Sequence, residues 1–369
     1  MSKLSKFLKS PGLFFRDALI RRHPIDFGNH VGQQDPEEGR VCVDPHSIEF
    51  PIDIVYTWVD GADSEWLSKK NHWQEAAGLT GLSENTGGEA RFENHDELKY
   101  SLRSVAAYLP WVRNIYLVTC GQKPEWLDAS HPKITVVDHA DIMDEKWLPT
   151  FNSHVIEAHL HRIEGLAEHY IYFNDDVMAA RPMEPKDFFL SNGARLVSLS
   201  GKLIPQGQVS QDDTPMDCAS KNVRDLLETT YGGTIEHQVL HSYHCQTRTI
   251  SKRCMELLEA HGKAFFGNRF RSHTDLNTAT LLSHYVAWFE SEAVFSPVAC
   301  MYLNTHAASS RMGYEAMLSL QDKPGCPQTL CVNQVVSELT EAQRAEYRRL
   351  LSEFLEAYFP VPSPFEKTS

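Results

Sequence analysis

Two strand-like apolar runs in this chain each end in acidic residues, and this pairing limits the fold more than any other feature. The first is Ile52-Asp53-Ile54-Val55-Tyr56-Thr57-Trp58-Val59-Asp60-Gly61. The second is Tyr170-Ile171-Tyr172-Phe173, which passes straight into Asn174-Asp175-Asp176. β-Branched and aromatic residues favour strands, and Ile115–Thr119 and Ile134–Val137 have the same character. Between them, apolar spacing at Leu98, Leu102, Val105 and Ala106 predicts a helix over Asp96–Tyr108 that Pro110 ends. His154–Ile163 reads as a further helix. Strands alternating with helices predict an α/β domain with a mostly parallel sheet flanked by helices. Such sheets bind ligands beyond the carboxyl ends of their strands, where the acids of both runs are expected.

The remaining sequence supplies the boundaries. Residues 1–25 carry Lys3, Lys6, Lys9, Arg16, Arg21 and Arg22 against the single acid Asp17, interleaved with apolar residues. Such a basic amphipathic arm fits an anionic membrane surface, or a helix docked on its own domain. Residues 26–50 read as a linker, 64–90 as a short helix followed by a Gly-rich loop, and 183–240 as turn-rich chain without long elements. Helices are expected over 250–261 and 275–290, and a capped amphipathic helix over Thr340–Tyr358, closed by Pro360, Pro362 and Pro364. The expected division is an arm and linker over 1–50, a catalytic domain over 51–335, and a C-terminal helix and tail over 336–369.

Composition excludes several classes. The chain has 369 residues, 42% of them hydrophobic, which suffices for a large core. No apolar run reaches the roughly 18–20 residues that span a bilayer. A net charge of −14 argues against a general nucleic-acid binder, but leaves room for a local basic site. The eight cysteines include no CxxC pair, so free buried thiols are expected rather than a disulfide framework or structural zinc. No secretory leader is expected at the N-terminus.

Asp175 and Asp176, adjacent at a strand end, suit a hard cation such as Mg²⁺ or Mn²⁺ bound with phosphate oxygens, although an Asx turn or helix cap uses the same residues. Asp53, inside an apolar strand, needs a partner, and is either an anchor or a site residue. Asp60 and Asp63 follow the same strand and fit either a turn or a site. The string Arg91–Arg103 gathers Arg91, Asn94, Glu97 and Arg103 around a helix start, which suits phosphate as well as a solvated helix face. Asn152 or Ser153 can cap the next helix, and Glu157 shares a face with His161. His237, His241, His244 and His273 fall near Arg248, Arg269 and Arg271. The stretch Phe270–Asp275 has the mixed charge expected around a phosphate. A zinc site at these histidines lacks an accompanying Cys or acid pattern.

The blocks Ile52–Gly61, Arg91–Arg103 (RFENHDELKYSLR), Trp111–Trp126 (WVRNIYLVTCGQKPEW) and Leu148–Asp176, with the later His244, Arg271 and Asp275, resemble the Stealth family. That family includes bacterial capsular-polysaccharide hexose-1-phosphate transferases and the catalytic subunit of the animal N-acetylglucosamine-1-phosphotransferase. A fourth family region is suggested by Leu330-Cys331-Val332-Asn333, where Gln334 stands in place of the family's usual acid. The resemblance implies a nucleotide-sugar transferase core of Rossmann-like or GT-A-like type with a helical C-terminal part. It implies transfer of a sugar-1-phosphate from a UDP-hexose, such as UDP-N-acetylglucosamine, to a glycan hydroxyl.

Carried over by motif, the expected catalytic residues are Asp60, Glu157, His244, Arg271 and Asp275. Asp53, Arg91, Asn94, Glu97, Arg103, Asn152 and His154 would bind substrate, and Asp175 and Asp176 would hold Mg²⁺ or Mn²⁺. Arg271 and Arg103 would neutralise developing charge, and either His244 or Glu157 would take the acceptor proton. The expected setting is bacterial and cytoplasmic, peripheral on the inner membrane face, with no nucleic-acid partner. A metal-dependent glycosyltransferase that moves the sugar alone, and a non-catalytic glycan-binding protein, are the competing readings.

Overall fold

The computed structural model describes residues 25–26, 47–79, 94–210, 212–304, 307–333 and 340–367. Arg91, Gln334, Cys42 and the basic arm up to residue 24 lie outside them. In chain order the first elements are β1 (Ile25–Asp26), β2 (Ile52–Thr57), α1 (Ser64–Ala76), α2 (Glu97–Tyr108), β3 (Ile115–Thr119) and β4 (Ile134–Asp138). Next come α3 (His139–Ile142), α4 (Ser153–Glu157), β5 (His169–Asn174), β6 (Val177–Ala179), β7 (Arg195–Val197) and β8 (Leu199–Leu203). They are followed by α5 (Pro215–Tyr231), β9 (His237–Val239), β10 (His244–Thr247), α6 (Arg248–His261) and α7 (Ser283–Phe289). The chain continues through β11 (Ala293–Phe295), β12 (Cys300–Asn304), α8 (Ala307–Leu320), β13 (Thr329–Asn333) and α9 (Glu341–Tyr358).

The central sheet has the order β10-β5-β2-β3-β4. β5, β2, β3 and β4 run parallel and β10 is antiparallel at one edge. This is the α/β, mostly parallel arrangement that the strand–helix alternation predicts. β2 lies inside the sheet, and its alternating side chains feed two cores. Val55 joins Tyr170, Tyr172 and the buried faces of α5, α6 and α7. Ile54 and Tyr56 pack on Leu98, Leu102 and Val105 of α2. Each such side chain contributes about 1.5–3 kcal/mol on burial.

A second sheet, β1-β12-β13-β6, stands beside the first. Only Asp175 and Asp176 separate β5 from β6, so the chain steps from one sheet to the other through the acidic pair. β6 pairs antiparallel with β13, which sets Cys331 opposite Val177. α8 and α9 cover this sheet through Tyr314, Met317, Leu351, Phe354 and Leu355. Among the described residues no helix is long and apolar enough to cross a membrane. The described cysteines are all free, and every one except Cys120 is buried.

The turn-rich reading of residues 183–240 is corrected by α5. Its start signal was present: Thr214 accepts a bond from the Asp217 amide, Pro215 takes the first helical position, and Gly232 ends the helix at φ 71°. Ala219, Val223, Leu226 and Leu227 form its buried stripe. The expected helix over 275–290 is a π-helical turn, Thr278–Leu282, leading into α7. The expected helix over 154–163 stops at Glu157, and a 3₁₀ turn, Leu160–Arg162, follows.

Two residues expected to contact substrate are structural anchors instead. Asp53 is fully buried at the start of β2, the end away from the acidic strand termini. It takes two bonds from the Arg113 guanidinium, at 2.9 and 2.5 Å, and one each from the Asn114 and Ala167 amides, at 3.1 and 2.7 Å. Every acceptor direction of this carboxylate is thereby used by the fold. Arg103 points to the C-terminal segment. It donates to both carboxylate oxygens of Glu366, at 2.9 and 3.0 Å, and to the Glu356 carboxylate and the Phe359 carbonyl. That segment is tied down further by the Asp128 amide donating to the Phe365 carbonyl (2.8 Å) and the Lys367 amide donating to the Trp126 carbonyl (2.9 Å).

Asp53→Ala leaves Arg113 and two amides without their acceptor. It should cost about 2–4 kcal/mol in urea unfolding while leaving any residual substrate KM unchanged. Burial acts to raise the Glu366 carboxyl, but bonding from Arg103 outweighs it and holds the group below its usual value. The stability this pair supplies is therefore present above the ordinary glutamate pKa of about 4.3 and is lost as pH falls through the lowered folded value. Proteolysis of the C-terminal segment should accelerate selectively below about pH 4, and in Arg103→Ala it should be fast at neutral pH as well.

Candidate active site

Tyr172 is the centre of the site. It is the buried, inward residue of β5 one position before Phe173, and β5 register sets it beside Val55 of β2 and His244 of β10. Its hydroxyl lies 2.9 Å from Thr57 Oγ1 and donates to Glu157 Oε1 at 3.4 Å. Its ring stacks on the His244 imidazole with centroids 6.2 Å apart. Cationic and acidic groups lie on either side of it.

The cationic side is built on α4 and the segment Asn268–Asp275. Asn152 caps α4, its side-chain oxygen accepting from the His154 amide at 3.2 Å. Its amide nitrogen donates to Asp275 Oδ2 at 2.9 Å. Asp275 is fully buried, with His154 Nδ1 3.3 Å from Oδ2 and Asn268 donating to Oδ1 at 2.7 Å. This knot fixes the segment that carries Arg271, whose Nη2 donates to Ser153 Oγ at 3.1 Å. Phe151 stacks on Phe270 at 5.1 Å and closes the base. The half-buried Arg271 lies close to the buried Glu157. Burial pushes the Glu157 carboxyl up to about 7 against the opposing pull of Arg271.

The acidic side is built where β5 gives way to β6. Asp176 Oδ2 accepts from Asn333 Nδ2 at 3.0 Å and from the Cys331 thiol at 3.4 Å, and lies 3.6 Å from His241 Nε2. Asp176, His241 and Cys331 each offer a ligand atom, all within 4.8 Å of one another. Burial and the Asp176 charge push Asp175 up to about 7. Glu97, at the start of α2, accepts from the His95 amide at 2.6 Å. It rises to about 8 through burial and the charges of Asp175 and Asp176. These two raised carboxyl groups and Asp176 together form a site that favours a cation. Asp176 differs, because bonds from His241, Cys331 and Asn333 outweigh burial and hold it below its usual value.

The two sides meet through Tyr172, which feels the charges of both Glu157 and Asp175. His241 is likewise influenced by Glu157 across the site. Asp175, Asp176, Glu97, Glu157, His244 and Arg271 thus converge at one edge of the central sheet. Asn152, His154 and Asp275 lie behind Arg271 as its support. Asp60 and Asn94 line a separate cleft of about 1010 Å³, together with Trp58, Trp66, Lys69, Gln122 and Lys367, and none of the six converging residues lines it. Asp60 also accepts from the Ala62 amide at 3.0 Å in a tight turn. Sequence reasoning missed Cys331 and the role of His241. The cluster holds one acid of the expected pair, Asp176, with a histidine and a cysteine that only the β6–β13 pairing brings to it.

Known proteins match this sequence along nearly the whole chain. Conserved region 1 of the Stealth proteins matches residues 50–73, conserved region 2 matches 91–197, and conserved region 4 matches 319–369. The capsular polysaccharide phosphotransferase fcs1 of Haemophilus influenzae is 36% identical, over 97% of this chain and 100% of its own length. The capsular polysaccharide phosphotransferase LcbA of Aeromonas hydrophila is 39% identical, over 90% of this chain and 94% of its own. A crystal structure of the galactosyltransferase LgtC with donor and acceptor sugar analogues covers 84% of this chain and 97% of that one. Its 11% identity and TM-score of 0.40 are too distant to carry any residue across. Matched regions that hold β2, the Asp175–Asp176 step and β13, and relatives aligned from end to end, place this chain in the Stealth family.

Proposed function

We propose that this chain is a phosphotransferase that moves a sugar-1-phosphate from a nucleotide sugar, a UDP-hexose such as UDP-N-acetylglucosamine, to a glycan hydroxyl, building a phosphodiester of capsular or exopolysaccharide. The observation that carries this reading is the meeting of a three-carboxyl cluster and a half-buried arginine on either side of Tyr172. The names of the relatives, capsular polysaccharide phosphotransferases, support phosphoryl transfer over transfer of the sugar alone.

In this reading the acceptor oxygen forms a bond to the phosphorus that bears the sugar. The phosphoanhydride bond breaks, and the nucleoside monophosphate leaves with the electron pair. The acceptor proton passes to His244 Nε2 or to the Glu157 carboxylate. Arg271 meets the charge on the equatorial oxygens, held in place by Ser153 and opposed by Glu157. A divalent cation fits the acidic side, because Asp176 Oδ1 is buried without a partner among the described residues and the charge of Asp175 acts against that of Glu97. Asp175 and Asp176 would hold it, with His241 and Cys331 alongside, and the nitrogen and sulfur donors favour Mn²⁺ over Mg²⁺. Such a cation supplies charge neutralisation on the diphosphate. The basic arm of residues 1–25 fits contact with anionic lipid near the site of polymer export.

The test is incubation with UDP-hexoses and a glycan acceptor, followed by analysis of the nucleotide product. Release of UMP with a phosphodiester product is expected, whereas UDP would show that only the sugar moves. Asp176→Ala and Arg271→Ala should each lower kcat by roughly 10²–10³ with the melting temperature little changed. Chelation should remove activity, and Mn²⁺ should restore more of it than Mg²⁺. Because Glu157 must be ionised to oppose Arg271, kcat should climb as pH rises through about 7, and Glu157→Gln should flatten that limb.

A further inference from the structure

Behind His244, on the side away from Tyr172, stands a second histidine that the proposed mechanism does not use. His284 Nε2 lies 3.1 Å from His244 Nδ1, and both rings are buried. Two imidazolium rings cannot face nitrogen to nitrogen at this distance, so one ring donates and the other accepts. The choice decides what His244 offers on its free side. If His244 Nδ1 carries the proton, Nε2 presents a lone pair. If His284 donates, Nε2 carries the proton instead.

His284 is held firmly in this position. The π-helical turn Thr278–Leu282 leads into α7 and aims Ser283 and His284 at β10. Gln246, two residues along β10 from His244 and on the same face, donates to the Ala279 carbonyl at 2.6 Å. Ser283 bonds to Gln246, and the fully buried Arg195 donates to Gln246, Ser283 and Thr247 at 3.2, 2.8 and 2.7 Å. The Arg195 charge, with burial and His244, keeps His284 uncharged, its pKa pushed well below the usual value, burial being the largest cause. A small cavity of about 10 Å³ adjoins His284, lined by Ser198, Ser242 and Tyr243 among others.

We propose that His284 is a positioning residue for the transfer reaction: it accepts the His244 Nδ1 proton, so that His244 Nε2 faces the site as an acceptor for the proton of the attacking hydroxyl. It acts as an uncharged counterpart of the carboxylate that backs a catalytic histidine in hydrolases. The choice left open above then falls to His244, and Glu157 serves as the counter-ion of Arg271. This inference rests on the phosphotransferase reading.

The experiment combines kinetics with a direct measurement of tautomers. In His284→Leu, kcat should fall roughly 10- to 100-fold while donor KM stays within about two-fold, the uniform-binding case. In His284→Gln, whose amide oxygen reaches the position of Nε2, most of the lost rate should return. NMR of the chain labelled with isotopic histidine should find the Nδ1–H tautomer at His244 in the unsubstituted protein, and a mixture of tautomers in His284→Leu. An Nε2–H tautomer at His244 in the unsubstituted protein overturns the proposal. So does an unchanged kcat in His284→Leu, or a loss that Gln does not repair. Absence of any sugar-phosphate transfer by the unsubstituted protein would instead remove the phosphotransferase reading, and the tautomer measurement would still decide the hydrogen bond.

Discussion

The two-residue step from β5 to β6 governs the rest of the structure. A strand buried within a parallel sheet holds a carboxylate only where the fold answers it fully, as at Asp53, whereas the step beyond its end can hold acids open to a ligand. Here the step is so short that the backbone must join another sheet at once. That sheet's strand β13 then supplies partners for the second acid: the Val332 amide donates to the Asp176 carbonyl at 3.0 Å, and Asn333 and Cys331 hold its side chain. Residues far apart in the chain thus form one cluster because strand register leaves them no other position.

Electrostatic strain in the site is distributed rather than removed. Glu97, Asp175 and Glu157 all rise toward neutrality on burial, while Asp176 alone is kept ionised by donors. Opposite charges stand ready on both sides: Arg271 is half-buried beside Glu157, and His241 rises because the pull of Asp176 outweighs burial. A site poised in this way gains when a cation and a polyanion arrive together, since each satisfies a group that the folded chain leaves partly unmet.

How much of this was legible in the sequence depends on whether the cause was local. The strands were legible, since aromatic and β-branched runs are their own signal, and so was the acidic pair at the end of one of them. α9 was legible from Thr340 and its apolar spacing. α5 could have been read from Thr214-Pro215 and Gly232, but the preceding Gly-, Ser- and Asp-rich stretch suggested turns throughout. Asp53 and Arg103 were misjudged for a different reason. A motif shows that a charge is required, but it does not show at which end of a strand it stands or what answers it, and the partners Arg113 and Glu366 are set by tertiary packing. Cys331 and His284 were illegible because β13 pairing and the π-helical turn bring them to the site.

The Arg103–Glu366 clamp bears on how the protein is made. During synthesis the amino-terminal strands and helices leave the ribosome long before the segment around Phe365 and Glu366 exists, and domains begin to fold as they emerge. Within the loop Glu125–Asp128, the bond from the Asp128 amide to Phe365 and the bond from the Lys367 amide to Trp126 form only when that last segment docks. A nascent chain can therefore assemble its central sheet early and leave this loop unfastened until translation is nearly finished.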